Sequence, residues 1–399
     1  MQPVVGEKVI TPDTHPKAAP EVSVAIFAWN EEHAIRSTLN SLFQQSIFGH
    51  LGRRHTRSEV FCVTNGCTDQ TPVVAAQTAE QLQLQHPDRE AFTARVANIV
   101  ERGKVNAWNQ FVHHLSAPEA RVLFMMDADI LIDAPDTMWN MITTLERDHE
   151  ATVVVDLPRK DLAGKNRKSM GDLLSLAASQ MTLAAEGQLC GQLYCIRADA
   201  ARKIFLPKDL AACEDGFIKT LVCTDFLTKV SQPRRIRLAK NAGHTFGAYT
   251  SPATVLKNQK RQVIGQTIIH LLVDHYFKTL SPADKHNLAG FLESKDSTDP
   301  SWLKRLIREH VERTQFSWQL YPDLLSNRFR RLRRLDKLQR LRCFPAALAG
   351  CCATAAASFL AYRTLKRGCT DYWPKASRSD LKRFGGLKPG SEHLGAPVR

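Results

Sequence analysis

Apolar residues along the chain fall into short continuous runs separated by polar turns, with three- and four-residue steps between the runs. Val22-Ser23-Val24-Ala25-Ile26-Phe27-Ala28 reads as a strand that ends at Trp29-Asn30-Glu31-Glu32, and Ile35, Leu39 and Leu42-Phe43 then recur at helical spacing. A second strand is predicted from Glu59 to Val63, followed by the turn Asn65-Gly66-Cys67-Thr68-Asp69 and a helix from Thr71 to about Leu84. A third strand lies near Ala94 to Val100, ahead of a helix from Lys104 to Leu115. Val122-Leu123-Phe124-Met125-Met126 has the length and flanks of a buried strand, and it stops at Asp127-Ala128-Asp129. Alternation at this pitch implies an α/β fold, a mostly parallel sheet flanked by helices on both faces.

Beyond Asp133 the pattern loosens. It predicts a helix near Thr137 to Glu146, a strand at Thr152 to Val155 and a polar loop from Pro158 to Asn166. A long helix over about Met170 to Ala185 and a strand around Gln192 to Ile196 follow. Glu214-Asp215-Gly216 opens another helix, and Gln259 to Leu280 reads as helical.

Composition narrows the class. With 43% hydrophobic and 24% charged residues among 399, the chain is neither wholly disordered nor a polytopic membrane protein. Its net charge of +14 is localised: Ser301 to Arg399 holds 21 Lys/Arg against 7 Asp/Glu, and residues 1–300 hold 33 of each sign. The ten cysteines are too sparse for a disulfide scaffold, and several, such as Cys62 and Cys223, sit in apolar runs as small buried hydrophobes. None has zinc-site spacing. The first twenty residues lack a basic start followed by an apolar stretch, so a cytosolic body is expected. No P-loop or dinucleotide glycine fingerprint is present, which sets aside kinases and dehydrogenases.

Asp127-Ala128-Asp129 carries the strongest chemical signal. Carboxylates at the end of a core strand are costly unless something offsets their charge. A divalent cation does so, with diphosphate oxygens completing its shell, and the carboxyl end of an open α/β sheet is where ligands bind. An isolated Asp-x-Asp is more often an ordinary polar turn, so neighbouring segments decide. Asn30-Glu31-Glu32 follows the first strand and Asn65-Gly66-Cys67-Thr68-Asp69 the second, while Gly103-Lys104-Val105-Asn106-Ala107-Trp108-Asn109 opens a helix. Each alone is a common turn or helix start; in this order they converge on one sheet edge, where side chains and free amides can hold a nucleotide.

This ordered set resembles glycosyltransferase family 2, the inverting GT-A type enzymes, over roughly Glu21 to Leu272. Asn30-Glu31 is similar to the family's Asn-Glu signature, and Asn65-Gly66-Cys67-Thr68-Asp69 to its Asp-Gly-Ser-Thr-Asp turn. Asn65 stands where an Asp is commoner, which leaves the donor base open. Gly103-Lys104 and Asn109 resemble its Gly-Lys-x-x-Ala-x-Asn segment, and Asp127-Ala128-Asp129 its metal motif. Gly191 to Arg197 looks like the strand lining the acceptor pocket, and Glu214-Asp215 like the pair whose Asp is the catalytic base.

The resemblance implies a GT-A catalytic domain over 21–280, with a nucleotide-binding half (21–130) and an acceptor half (131–280). It implies Asp215 as catalytic base, and Asn30, Glu31, Asn65, Lys104, Asn109, Asp127 and Arg261 as donor contacts. Asp127, Asp129 and His244 would hold Mg or Mn; His244 is as readily a satisfied loop histidine, and Arg261 a solvated helix residue. The resemblance further implies a nucleotide-diphosphate sugar donor, a UDP-sugar first, and as acceptor a hydroxyl of a lipid-linked or cell-envelope glycan. Gln259-Lys260-Arg261 partly resembles the Gln-x-x-Arg-Trp element, but Val263 stands at the Trp position, against a processive synthase.

Around this body are a flexible N-terminal arm (1–20), a helical basic extension (281–342), an uncharged stretch (343–362) and a mobile basic tail (363–399). The twenty residues from Cys343 to Tyr362 are long enough to cross a bilayer but Ala-rich, with Pro345 and Gly350, so a membrane anchor and a buried helix both stand. Arg328, Arg330, Arg331, Arg333, Arg334, Lys337, Arg340 and Arg342 precede it and suit anionic cytoplasmic lipid, placing the enzyme at the cytoplasmic membrane as a peripheral or single-pass protein. Phe329, Leu332, Leu335, Leu338 and Leu341 recur every third residue, a stripe that winds around a helix. Two other classes are weaker. A sugar nucleotidyltransferase wants a glycine-rich basic loop after the first strand, where Ala28-Trp29-Asn30-Glu31 stands. A nucleic-acid binder built on the Arg-rich stretch lacks any accompanying recognition motif.

Overall fold

In the computed structural model, which describes residues 19–161, 187–210, 214–247, 252–314, 332–333 and 336–368, the first apolar run is the central strand of the sheet's parallel half. β1 (Pro20–Ala28) pairs in parallel with β2 (Arg57–Asn65) on one side and β4 (Val122–Asp127) on the other, and β3 (Phe92–Ile99) extends the array beyond β2. The crossovers are α1 (Ile35–Phe43) with α2 (Ile47–Arg53), then α3 (Thr71–Gln85), then α4 (Lys104–Gln110). Side chains alternate across a strand, so Val24 and Ile26 enter one apolar layer with Leu39, Phe43 and Phe48. Ala25 and Phe27 enter the other, with Phe61, Trp108 and Phe111. A strand covered on both faces must be apolar throughout, which is why this half shows so clearly in the sequence.

The second half is assembled from β5 (Ile130–Ile132), α5 (Thr137–Arg147), β6 (Val153–Lys160), β7 (Leu193–Arg197), α6 (Ala198–Ala201), α7 (Glu214–Cys223) and β8 (Ile236–Phe246). The eight described strands form one sheet in the order β3-β2-β1-β4-β7-β6-β8-β5. It is mostly parallel, as expected: six of the eight run in one direction, while β7 is antiparallel to β4 and β6, and β5 to β8. Three details depart from the sequence reading. Pro158 to Lys160, expected as loop, continue β6 and pair with His244 to Phe246. β8 was not predicted, because its buried side chains between Ile236 and His244 include the small Ala239 and Ala242 while Leu238 is exposed, so no apolar rhythm announces it. The helix expected from Lys104 to Leu115 ends at Gln110 and continues as a π-helical turn, Phe111–Leu115.

The described part of the C-terminal region is largely helical: α8 (Pro252–His270), α9 (Pro282–His286), α10 (Leu288–Thr298), α11 (Trp302–Arg313) and α12 (Lys337–Lys366). Leu292, Trp302, Leu303 and Leu365 belong to the same apolar cluster as Phe217 of α7 and Tyr194 of β7. Within α12, Cys343–Lys366 is long and apolar enough to cross a membrane by length and composition, and 31% of its most apolar stretch is buried against the rest of the chain. The predicted arm through residue 18, the predicted helix Met170–Ala185, Arg328, Phe329, Arg330, Arg331, Arg334, Leu335 and the tail from Cys369 lie outside the described residues.

Candidate active site

The topology brings the singled-out segments to one edge. β1, β2 and β4 end there at Ala28, Asn65 and Asp127. β7 runs the other way and so begins there, with Leu193 opposite Met126, while β6 and β8 finish there. Lys104, first residue of α4, stands at the centre. Its Nζ lies 2.6 Å from Asp127 Oδ1 and 2.9 Å from Glu214 Oε1, and it donates to the Gly191 carbonyl at 3.1 Å. One ammonium therefore joins the end of β4, the entry to β7 and the first turn of α7.

The electrostatics follow from that bridge. Burial would strip the proton from Lys104, but Asp127 and Glu214 reverse the effect and raise its proton affinity. Burial likewise works to raise Glu214, and the Lys104 charge and hydrogen bond outweigh it, holding Glu214 below the ordinary carboxylate range. Asp215 goes the other way. Burial and then the neighbouring Glu214 charge push it up to about 6, against the Gly216 N–H that donates to its Oδ1 at 2.7 Å and the charges of Lys104 and Arg261. Two adjacent carboxylates thus differ in proton affinity, Asp215 raised by burial and by its neighbour's charge, Glu214 lowered by the lysine that touches it. Gly191 makes room for the pair: a Cβ there would lie 3.2 Å from Asp215 Cβ. Arg261, on α8, reaches both carboxylates electrostatically.

The asparagines behave differently. Asn65 is buried and bridges backbone, donating to the Ala28 carbonyl at 3.0 Å and accepting from Gly103 N at 3.2 Å. Asn109 is turned away from the cluster: its amide donates to Leu206 O at 2.8 Å and accepts from Leu206 N at 3.0 Å. Asn30 holds a left-handed backbone (φ 54°), and its side chain ties to Thr68, accepting from the backbone N at 2.7 Å and donating to Oγ1 at 3.1 Å. The Glu31 N–H donates to Thr71 Oγ1 at 2.7 Å. Here, then, Asn30 and Asn65, predicted as donor contacts, tie the ends of β1 and β2 to neighbouring loops, and Asn109 ties α4 to the Leu206 backbone.

Asp129 is half-buried on the turn between β4 and β5, two residues past the end of the Lys104-bound strand. His244 does not join it. The histidine is fully buried in β8, its Nδ1 donating to Asp156 at 2.7 and 2.9 Å and its Nε2 facing Gln192 Oε1 at 3.4 Å. Burial raises the Asp156 carboxyl and the His244 contact partly offsets this. Among the described residues no group of three or more His, Cys, Asp or Glu is placed to hold a metal ion with protein ligands alone. Cys190, in the same loop as Gly191, has its thiol pushed up to about 12 by burial, so it is not a thiolate.

Sequence reasoning missed several parts of this site. Glu214 was read only as the neighbour of Asp215, and the Gly191 carbonyl has no side-chain signature. Asp156 lies in Val153-Val154-Val155-Asp156, and a carboxylate closing an apolar run, as Asp127 does, was a usable signal. Arg102 lies 3.6 Å over the Trp29 ring and adjoins Gly103-Lys104 in sequence.

Residues 23–196 match the family model described as Glycosyl transferase family 2. Curated proteins give no match. Similar solved structures include a mannosyltransferase from Pyrobaculum calidifontis in complex with GDP-Man and Mn2+, at 16% identity, covering 88% of this chain and 89% of that one with a TM-score of 0.48. They also include TarS 1–349 from S. aureus, at 16% identity, 87% and 90% coverage and a TM-score of 0.38. A third is glucosyl-3-phosphoglycerate synthase from Mycobacterium tuberculosis in complex with Mn2+, UDP-Glc and phosphoglyceric acid, at 17% identity, 62% and 79% coverage and a TM-score of 0.39.

Proposed function

We propose that this chain, whose residues 23–196 match the Glycosyl transferase family 2 model, is a glycosyltransferase that moves a sugar from a nucleotide-diphosphate donor, a UDP-sugar first, to a hydroxyl of a lipid-linked or cell-envelope glycan, by one in-line displacement with inversion. The observation that carries this reading is the split between Glu214 and Asp215. Inverting transfer needs one group able to take a proton from the acceptor hydroxyl as the new bond forms. Asp215, raised to about 6, is ionised at neutral pH yet holds a proton more readily than an ordinary carboxylate. Glu214, held ionised by Lys104, keeps it raised. Lys104 and Arg261 add positive charge on the side where the diphosphate departs.

A divalent cation fits the residues present. Magnesium-type ions are commonly held by one or two carboxylates plus substrate phosphates, which Asp129 with Asp127 would supply without a third protein ligand. Such a cation, Mg or Mn, would neutralise charge developing on the leaving diphosphate. His244 is left out of this set because both ring nitrogens face protein groups.

The reaction is placed at the cytosolic face of a membrane, on the support of the apolar α12 and its basic neighbours. The test is turnover of a panel of nucleotide sugars with Mn or Mg by the intact chain. Release of nucleoside diphosphate is expected, and pyrophosphate release would instead indicate nucleotidyl transfer. Full donor turnover by Asp129→Ala and Asp215→Asn would overturn the assigned roles.

A further inference from the structure

We infer that α12 is an in-plane docking element for an anionic bilayer, lying along the surface and not crossing it. The inference deepens the membrane placement proposed above and rests on it only for its purpose, delivery of a lipid-borne acceptor. Between Cys343 and Tyr362 there is no charged residue, so the helix is apolar all round. The structure shows why: its two sides have different occupants. One side is packed on the protein, with Ala347, Ala357, Ala361 and Leu365 buried. Thr354 Oγ1 donates to Gln259 Oε1 of α8 at 3.4 Å, and Tyr362 OH donates to the Thr314 carbonyl beyond α11 at 3.1 Å. The other side carries Leu341, Phe344, Leu348 and Phe359, exposed by 74, 49, 52 and 54%. Their steps of three, four and eleven residues keep them on one face. An exposed apolar strip of about 27 Å, at 1.5 Å per residue from Leu341 to Phe359, marks an interaction surface.

Charge identifies the occupant. Lys337 and Arg340 stand at one end of the strip and Arg363, Lys366 and Arg367 at the other. A crossing helix sends its two ends to opposite leaflets, whereas a helix lying flat lets both clusters reach headgroups of the same leaflet. Crossing would also pull α12 away from α8 or drag Lys257, Lys260 and Arg261 toward hydrocarbon, at the cost of burying their charges. Lying flat keeps the Thr354–Gln259 contact intact. It also fixes the site's height over the lipid, because α8 is the helix whose Arg261 reaches Glu214 and Asp215.

The test uses the full chain and preformed vesicles of phosphatidylcholine with or without phosphatidylglycerol. Sedimentation with the anionic vesicles is expected, with loss of about tenfold or more in partitioning for neutral vesicles and for the double variant Leu348→Glu/Phe359→Glu. Donor turnover of that variant without vesicles should match the unmodified chain. Leu348→Trp, Ala355→Trp and Phe359→Trp, each read as added fluorescence quenched by lipids brominated at defined depths, should report one shallow depth. A graded profile with Ala355→Trp deepest, or binding indifferent to the double substitution or to lipid charge, overturns the proposal. Vesicle binding as expected by a chain that turns over no nucleotide sugar would remove the transfer reading and leave the docking surface standing.

Discussion

The amides and the charges of this sheet edge do opposite jobs. On the side built by β1 to β3 and α4, Asn30, Asn65 and Asn109 spend their hydrogen bonds on neighbouring loops and backbone, so these loops are fixed before any ligand arrives. On the side where β4, β7 and α7 meet, Lys104 gathers Asp127, Glu214 and the Gly191 carbonyl, and the electrostatic outcome appears at Asp215. One region stores geometry and the other stores charge. A side chain's motif position therefore does not reveal whether it faces the substrate or the scaffold.

The largest expected effect comes from cutting the charged side at its centre. Lys104→Met leaves Asp127 and Glu214 without their shared cation, and breaking a buried pair in this way costs about 3–5 kcal/mol, measurable by urea denaturation. Activity should fall with it. Next is Asp215→Asn, expected to lower kcat about 10²- to 10⁴-fold by removing the base, with stability kept in the same denaturation experiment. The pH profile sharpens the assignment. Asp215 accepts a proton only when ionised, so kcat/KM should rise with pH through about 6 and be lost below it. A profile flat between pH 5 and 7, in steady-state assays, would remove Asp215 from the reaction.

The scaffold side should answer in stability rather than rate. Asn109→Ala leaves both backbone groups of Leu206 without their partner and should cost about 1–3 kcal/mol, with the donor KM unchanged. Asn30→Gly preserves the left-handed backbone at φ 54° and removes only the Thr68 bonds. It should cost about 0.5–1.5 kcal/mol, the smallest effect of the set. A rise in donor KM without loss of stability in either variant would move that asparagine back among the donor contacts.

How much of this was legible depends on what each element buries. β1, β2 and β4 are apolar on both faces, so their continuous runs gave the strands to within two residues of their ends. β8 is a long strand whose inward positions include Ala239 and Ala242, and small residues leave no rhythm to read. Asp127, Lys104 and Asp215 could be picked out because ordered motifs place charges at strand and helix ends. Their pairing was not legible, since Lys104 meets Glu214 across 110 residues only when β7 delivers Gly191 between them. The direction of Asn109 was hidden for the same reason: Leu206, its partner, has no sequence mark.

The sharing of one apolar cluster by α7 and the C-terminal helices sets how this protein can be dissected. Phe217, two residues past Asp215 on the same helix, lies in the same oily interior as Phe277, Leu292, Trp302 and Leu365. Cooperative melting should therefore span the two, and trimming the chain behind α8 would open a wound in the core beside Asp215. The tail of helices is less an appendage than the keel on which β7 and α7 are laid.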